Sequence, residues 1–410
     1  MKKKLVKGYK KFRHSVRLAL ESNEKIDDIY LASKAKKMYG NLKNEELNDK
    51  KIVFTNYMGR GYGCNCKYLV EEILERKLDY DLVWLINESE DKSAFPKEVR
   101  LVDYKSEEAL RELATAKFLV SNYHLNYFIK KGFRKSDNQV YLQMWHGSFG
   151  IKKIEKHVPG LTESKMWLKV SKLNSAMTDY WISNSDFETD VYKNAFWDVN
   201  DIRLLGHPRN DIFFKDNTRL AHKVLSKLDA DTSKKIVLYM PTFREDYRLD
   251  CYDIDVDRLC NMLERRFSGE WALVLRLHPR VAYLSSRFKE KYGHDKIIDA
   301  TNYDDVQELI ASADVMISDY SSCIFDYLLT KRPAFIYATD IDEYDKERGF
   351  YYSIYETPFS IASNNDELCK AVEEFNEEEY EDKVEEFLKG KGSIEDGNAA
   401  GRIIEFIESL

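Results

Sequence analysis

Three short stretches in the second half of the chain put residues suited to phosphate chemistry where strands should end. Ser318-Asp319-Tyr320-Ser321-Ser322 follows an apolar run, Ala313–Ile317, that reads as a strand and precedes Cys323–Leu329, which reads as an apolar helix. A strand passing through small hydroxyl residues into a helix leaves backbone N–H groups converging at the positive end of a helix dipole, where phosphate is favoured. Ser and Asp are also the commonest helix caps, so this turn alone decides nothing. Its companions raise it above a cap. Lys235–Met240 delivers Pro241-Thr242-Phe243-Arg244, and Trp271–Leu277 delivers His278-Pro279-Arg280. Ligands of open α/β sheets sit outside the carboxyl ends of the strands. Arg244, His278, Arg280, Ser318, Asp319, Ser321 and Ser322 are therefore expected at one rim, the arginine forks matching the oxygens of a diphosphate.

The first half carries a matching signal. The strand candidate Val140–Met144 delivers Trp145-His146-Gly147 into a basic segment ending at Lys152-Lys153. A histidine in such a turn can accept a proton, since its ordinary pKa lies near working pH; a histidine held by hydrogen bonds is the bland alternative. Gly59–Gly63 (GRGYG) follows the strand candidate Lys51–Tyr57 but lacks the dinucleotide spacing, so no nicotinamide is expected. No D-x-D pair stands at a strand end, and neither an essential divalent ion nor another cofactor is expected; Asp319 reads as orienting its turn or a histidine. The six cysteines are scattered, and the one C-x-C pair, Cys64 and Cys66, is poor zinc evidence.

Taken in order, these segments resemble a known family. Trp145-His146-Gly147, Gly206-His207-Pro208-Arg209-Asn210-Asp211, Pro241-Thr242-Phe243-Arg244, His278-Pro279, Ser318–Ser322 with Phe325-Asp326, and Arg348-Gly349-Phe350-Tyr351 together are similar to the CDP-glycerol glycerophosphotransferases. The resemblance runs from Lys51 to the C-terminus. It implies a GT-B-like α/β fold, two Rossmann-type doubly wound domains facing a cleft. It also implies transfer of glycerol phosphate or ribitol phosphate from a CDP-alditol to a hydroxyl of a lipid-linked acceptor, with release of CMP. The products would be teichoic acid or a related cell-surface polymer, made at the cytoplasmic face of the membrane.

By the same resemblance His146 and His278 are the two key histidines. His146 is expected as general base, with His278, Arg244 and Arg280 stabilising charge on the transferred group and on CMP. The donor diphosphate is expected over Ser318, Asp319, Ser321 and Ser322, the cytidine near Tyr303–Leu309. Gly147, Lys152, Arg209, Asp211, Asp326 and Arg348 are candidate supporting residues. His207 departs from the family pattern, where Tyr would be expected, and reads as tolerated. Two other readings stay open: a GT-B glycosyltransferase using a nucleotide-sugar, and a non-catalytic, membrane-associated polyanion-binding protein.

The elements needed to position these residues are legible. A chain of 410 residues suits two domains. Strands are expected at 52–57, 82–86, 118–121, 140–144, 180–183 and 202–205, then at 236–239, 272–277, 296–299, 315–317 and 334–337, with helices between them. The implied units are a basic helical segment over 1–45, an acceptor domain over 46–215, a CDP-alditol domain over 216–395 and a closing helix over 396–410. The net charge of −7 argues against a nucleic-acid partner. Leu5, Tyr9, Phe12, Val16 and Leu20 recur at helical spacing among lysines and arginines, so Lys2–Leu20 is expected to contact an anionic membrane surface. No apolar run reaches the length of a transmembrane helix, and no signal peptide is expected.

Overall fold

The computed structural model describes residues 45–244, 250–286 and 297–410, together with 33, 37 and 290. Lys2–Leu20, with the membrane contact expected there, lies outside the described residues.

The first sheet contains β1 (Asn48–Thr55), β2 (Asp81–Ile86), β3 (Arg100–Asp103), β4 (Ala116–Ser121), β5 (Val140–Gln143), β6 (Tyr180–Ser183) and β7 (Ile202–Leu204), in spatial order β3-β2-β1-β4-β5-β6-β7. The second contains β8 (Lys235–Met240), β9 (Trp271–Leu275), β10 (Ile297–Asp299), β11 (Val315–Ser318), β12 (Ala334–Tyr337) and β13 (Ser360–Ala362), in order β10-β9-β8-β11-β12-β13. Every strand pairing within the two sheets is parallel. In both sheets the strand order reverses near the centre, between β1 and β4 and between β8 and β11, which opens a crevice at the carboxyl ends of those strands. The doubly wound α/β architecture expected from the sequence is present in both halves.

Parallel strands covered on both faces must be apolar throughout, and alternate residues feed opposite layers. In the first sheet Ile52, Phe54 and Trp84 face one layer with Leu69, Val70 and Ile73. Val53, Val83 and Leu85 face the other with Leu113, Phe128 and Val170. Two edge strands, β3 and β13, were not expected. They have only four and three residues and take their register from β2 and β12.

The closing helix is Ala399–Glu408, and it crosses back to the first sheet, where Ile403, Ile404 and Ile407 complete the layer of Ile52 and Phe54. Its start is not capped by Asn398, which makes no side-chain cap bond. The cap comes from far along the chain: Asp211 accepts from the backbone N–H of Ala399 at 2.9 Å and of Ala400 at 2.8 Å. Asp211, a candidate for the site, thus spends both oxygens holding a helix end. We predict that Asp211→Ala lowers unfolding stability by about 1–2 kcal/mol, as loss of a good cap does, while Asp211→Asn loses less. Denaturant titration of the two variants against the parent is the check, and equal loss in both would refute the capping role.

Candidate functional site

The first-domain wall of the crevice is built on the loops after β1, β4 and β5. Asn122 follows β4 and ties the loops together: its amide donates to Asn56 at 2.6 Å, and its side-chain oxygen accepts from the backbone of Tyr57 at 2.9 Å. Its backbone carbonyl lies 2.7 Å from His146 Nδ1. A carbonyl only accepts, so Nδ1 carries the proton and Nε2 keeps its lone pair. Tyr57, Tyr123 and Trp145 surround the imidazole, with ring centroids 5.3, 5.5 and 4.4 Å away. Burial pushes the His146 pKa down to about 4; the Asn122 bond opposes this, and Arg209 and His124 add to the fall. The imidazole is therefore neutral near pH 7. Tyr57, Met58 and Trp145 all adopt positive φ, at 41°, 61° and 48°, a cost side chains of this size accept where surrounding structure dictates the backbone.

Asn65 is a residue the sequence reading missed. It is fully buried, donates to the carbonyls of Met144 at 3.3 Å and Trp145 at 3.1 Å, and accepts from the Arg209 N–H at 3.2 Å. It stands between the two cysteines of the C-x-C pair. A polar residue in the first turn of an apolar helix was the signal available there. His207, the departure from the family pattern, is fully buried with Nε2 2.8 Å from Glu188, which accounts for its acceptance.

The second-domain wall uses the ends of β8, β9 and β11. Arg244, expected to fork onto a diphosphate, does otherwise here. Its Nε and Nη2 bond Asp340 at 2.7 and 2.9 Å, Nη1 bonds the Thr242 carbonyl at 2.6 Å, and Nη2 also meets Asp319 at 2.9 Å. Burial opposes its charge, but Asp319 and Asp340 outweigh burial and its pKa rises. Asp319 accepts from the N–H groups of Thr242 and Tyr320 at 2.8 and 2.6 Å, so it orients the turn. Ser318 is buried and donates to the Met240 carbonyl at 2.6 Å. Arg244, Asp319 and Ser318 thus form the frame of the turn. Ser321 and Ser322 lie partly open above it, before a helix of five residues, Cys323–Tyr327.

Lys152 supplies what the framing arginine does not. Burial lowers its pKa to about 8, Asp319 pulls it back up, and Arg348 adds to the fall. Among the described residues neither Lys152 nor Arg348 has an ion-pair partner. The Thr242 hydroxyl is buried without a hydrogen bond. Lys152 thus lies near Asp319, Cys323 and Arg348, and the Thr242 N–H bonds Asp319, which brings two cations and a hydroxyl with unmet capacity to the neighbourhood of the turn. His278 is exposed beyond β9, its ring 5.7 Å from Phe243; the Arg280 side chain lies outside the description. Gly147 has no close neighbour that would exclude a Cβ.

Arg209 and Asp326 turn out to be partners. They meet at 3.0 Å across the two halves, and Ser148 donates to the same Asp326 oxygen at 2.6 Å. In the stretch expected near cytidine, Asp305 and Glu308 bond Lys67 at 2.7 and 2.8 Å, and Tyr303 donates to Glu308 at 2.8 Å. Those polar groups serve the contact between halves.

A family model described as CDP-glycerol:poly(glycerophosphate) glycerophosphotransferase matches residues 38–409. The chain belongs to that family. It is 30% identical over 387 residues to the teichoic acid poly(glycerol phosphate) polymerase of Staphylococcus epidermidis, covering 89% of this chain and 51% of the relative. The chain thus spans about half the length of that relative, and 44% of the polymerase of Bacillus subtilis. It is 29% identical to the teichoic acid glycerol-phosphate transferase of Staphylococcus aureus over 90% of this chain and 95% of that one. The solved wall teichoic acid polymerase TagF superposes with TM-score 0.75 at 27% identity, over 99% of this chain and 98% of its own. A putative UDP-N-acetylglucosamine 2-epimerase of Listeria monocytogenes, at TM-score 0.53 and 13% identity, shares the fold alone.

The part-buried imidazole yields a prediction in this family setting. His146 should stay neutral down to about pH 4 in the folded protein, against about 6.5 in the unfolded chain. Because the unfolded chain binds the proton first, stability should fall as pH drops from about 6.5 to about 4. His146→Gln should flatten that slope. NMR titration of the imidazole and denaturant titration across pH read the two effects, and a titration midpoint above 6 would contradict the burial.

Proposed function

We propose that the protein transfers an alditol phosphate, glycerol phosphate or ribitol phosphate, from a CDP-alditol to a hydroxyl of a lipid-linked acceptor, releasing CMP. The observation that carries this is the pairing of a neutral histidine, its Nε2 without a partner among the described residues, with two cations that lack ion-pair partners among those residues, beside a hydroxyl-rich turn. Such an arrangement suits an electrically neutral nucleophile and a doubly charged diphosphate. The relatives' names and a TagF structure soaked with CDPG favour the same donor.

In the proposed reaction the diphosphate lies over Ser321 and Ser322, with Lys152 and Arg348 neutralising its charge. The acceptor hydroxyl attacks the β-phosphorus and its proton passes to His146 Nε2. The new P–O bond forms as the bond to the CMP oxygen breaks. His278 stabilises the departing CMP. Positioning and charge stabilisation carry most of phosphoryl transfer, and here side-chain cations do that work without an essential metal. Arg244 acts indirectly, by holding Asp319 and with it the turn.

CMP release from CDP-glycerol and CDP-ribitol tests the reading. His146→Ala should lower turnover about 10²–10⁴-fold, the usual range for a lost general base. Lys152→Met should weaken donor binding measured by calorimetry, and turnover should survive a chelator. Release of a nucleoside diphosphate from a nucleotide-sugar would favour a glycosyltransferase instead, and no turnover with any donor would favour the non-catalytic reading.

We also propose that the protein works at the cytoplasmic membrane face, held there by Lys2–Leu20. No helix among the described residues is long and apolar enough to cross a membrane. An apolar stripe flanked by basic residues gains about 1 kcal/mol per cation at an anionic surface. Deleting Met1–Leu20 should release the protein from anionic vesicles while turnover on a short soluble acceptor survives. Undiminished co-sedimentation would place the membrane contact elsewhere.

A further inference from the structure

We infer that Tyr351, Tyr352 and Asp326 are positioning residues that lash the loop carrying His146 to the second domain, so that base and donor turn move as one body. The inference rests on the proposed function for the roles of base and donor turn; its geometry stands independently. His146 belongs by sequence to the first domain, but the chain crosses over within three residues. Phe149 and Ile151 are fully buried within the second domain's apolar core, Phe149 with its ring 6.5 Å from Phe387.

Hydrogen bonds follow the loop along its length. Ser148 donates to Asp326 at 2.6 Å. The Tyr352 hydroxyl donates to the Phe149 carbonyl. The Tyr351 N–H donates to the Ile151 carbonyl at 2.7 Å, and the Lys153 N–H donates to the Gly349 carbonyl at 3.0 Å. Lys152 and Phe350 pair as an antiparallel bridge. The Tyr351 hydroxyl accepts from the Ile154 N–H at 3.2 Å and lies 3.0 Å from His157 Nδ1.

Two glycines permit this approach. A Cβ at Gly150 would stand 3.0 Å from the Ser322 Cβ, so the loop abuts the donor turn itself. Gly349 has φ +74°, and a Cβ there would come within 3.0 Å of the Lys153 side chain. Arg348-Gly349-Phe350-Tyr351, conspicuous in the sequence, thus acts as a strap.

The consequence concerns domain movement. In a two-domain transferase a base fixed to the acceptor side swings with every opening. A base strapped to the donor side keeps its distance to the phosphorus, and a misplacement of about 1 Å can cost about 10²-fold in rate. His146 still rests on Asn122, so the strap sets its register from one side and the Asn122 carbonyl from the other.

The double variant Tyr351→Phe/Tyr352→Phe, and separately Asp326→Asn, test this with ring packing kept. Tyr355→Phe, an exposed position, is the control. In the double variant, hydrogen exchange over 146–157 should quicken. The His146 NMR titration should move upward as water reaches a ring now faced by Tyr57, Tyr123, Trp145, His124, Arg209 and Glu155. Turnover of CDP-alditol should fall about tenfold or more with donor KM changed less than about threefold. Unchanged exchange and titration would overturn the strap, as would a loss expressed only in donor KM. If the parent turns over no CDP-alditol, the proposed function fails while exchange and titration still judge the strap.

Discussion

A buried ion pair between the halves holds the rest of the molecule in register. Arg209 and Asp326 meet at 3.0 Å with side chains only 3% and 4% exposed. Burial works against the guanidinium, and Asp326 together with Cys64 and Tyr57 more than offsets it, so the Arg209 pKa rises. Removing either partner alone would strand a charge away from water, a large penalty. The pair is therefore more informative about geometry than about net stability. It requires the turn after β7 and the helix after β11 to stay together, and through Ser148 it requires the loop after β5 to join them.

A second cluster braces the contact next to that pair, Gln307 reaching Asn210 and Asp326 between them. Lys67, from the first-domain helix Cys64–Glu75, bonds both Asp305 and Glu308, and Lys223 joins Glu308 at 2.9 Å. Charge is left unmatched instead around Lys152, near Asp319, Cys323 and Arg348. Arg244 and Arg209 are paired with carboxylates, whereas among the described residues Lys152 and Arg348 are not. That division separates cations that build the site from cations available to an anion, and residue type alone does not reveal it.

The strand-end motifs were legible because each is local. An apolar run followed by Pro-Thr-Phe-Arg or Ser-Asp-Tyr-Ser-Ser announces a strand and its exit, and parallel architecture follows from the alternation of such runs with helices. Eleven of the thirteen described strands were foreseen on that basis, and the two missed are the short edges β3 and β13. The roles of Asp211 and Arg244 were not legible. Asp211 finds its partners at Ala399 and Ala400, and Arg244 finds Asp340 far along the chain; no spacing rule links positions so distant.

The sequence by itself determined the doubly wound halves, the family and the histidine at the end of β5, since hydrophobic periodicity and short motifs are encoded within a few residues. Only the tertiary structure decided which charges are spent. It also decided that His146 carries its proton on Nδ1, and that Phe149 and Ile151 of its loop pack in the second domain's core. The reason is physical. A pKa, a tautomer and an ion pair depend on what lies within a few ångströms in space, and here those neighbours come from both halves of the chain.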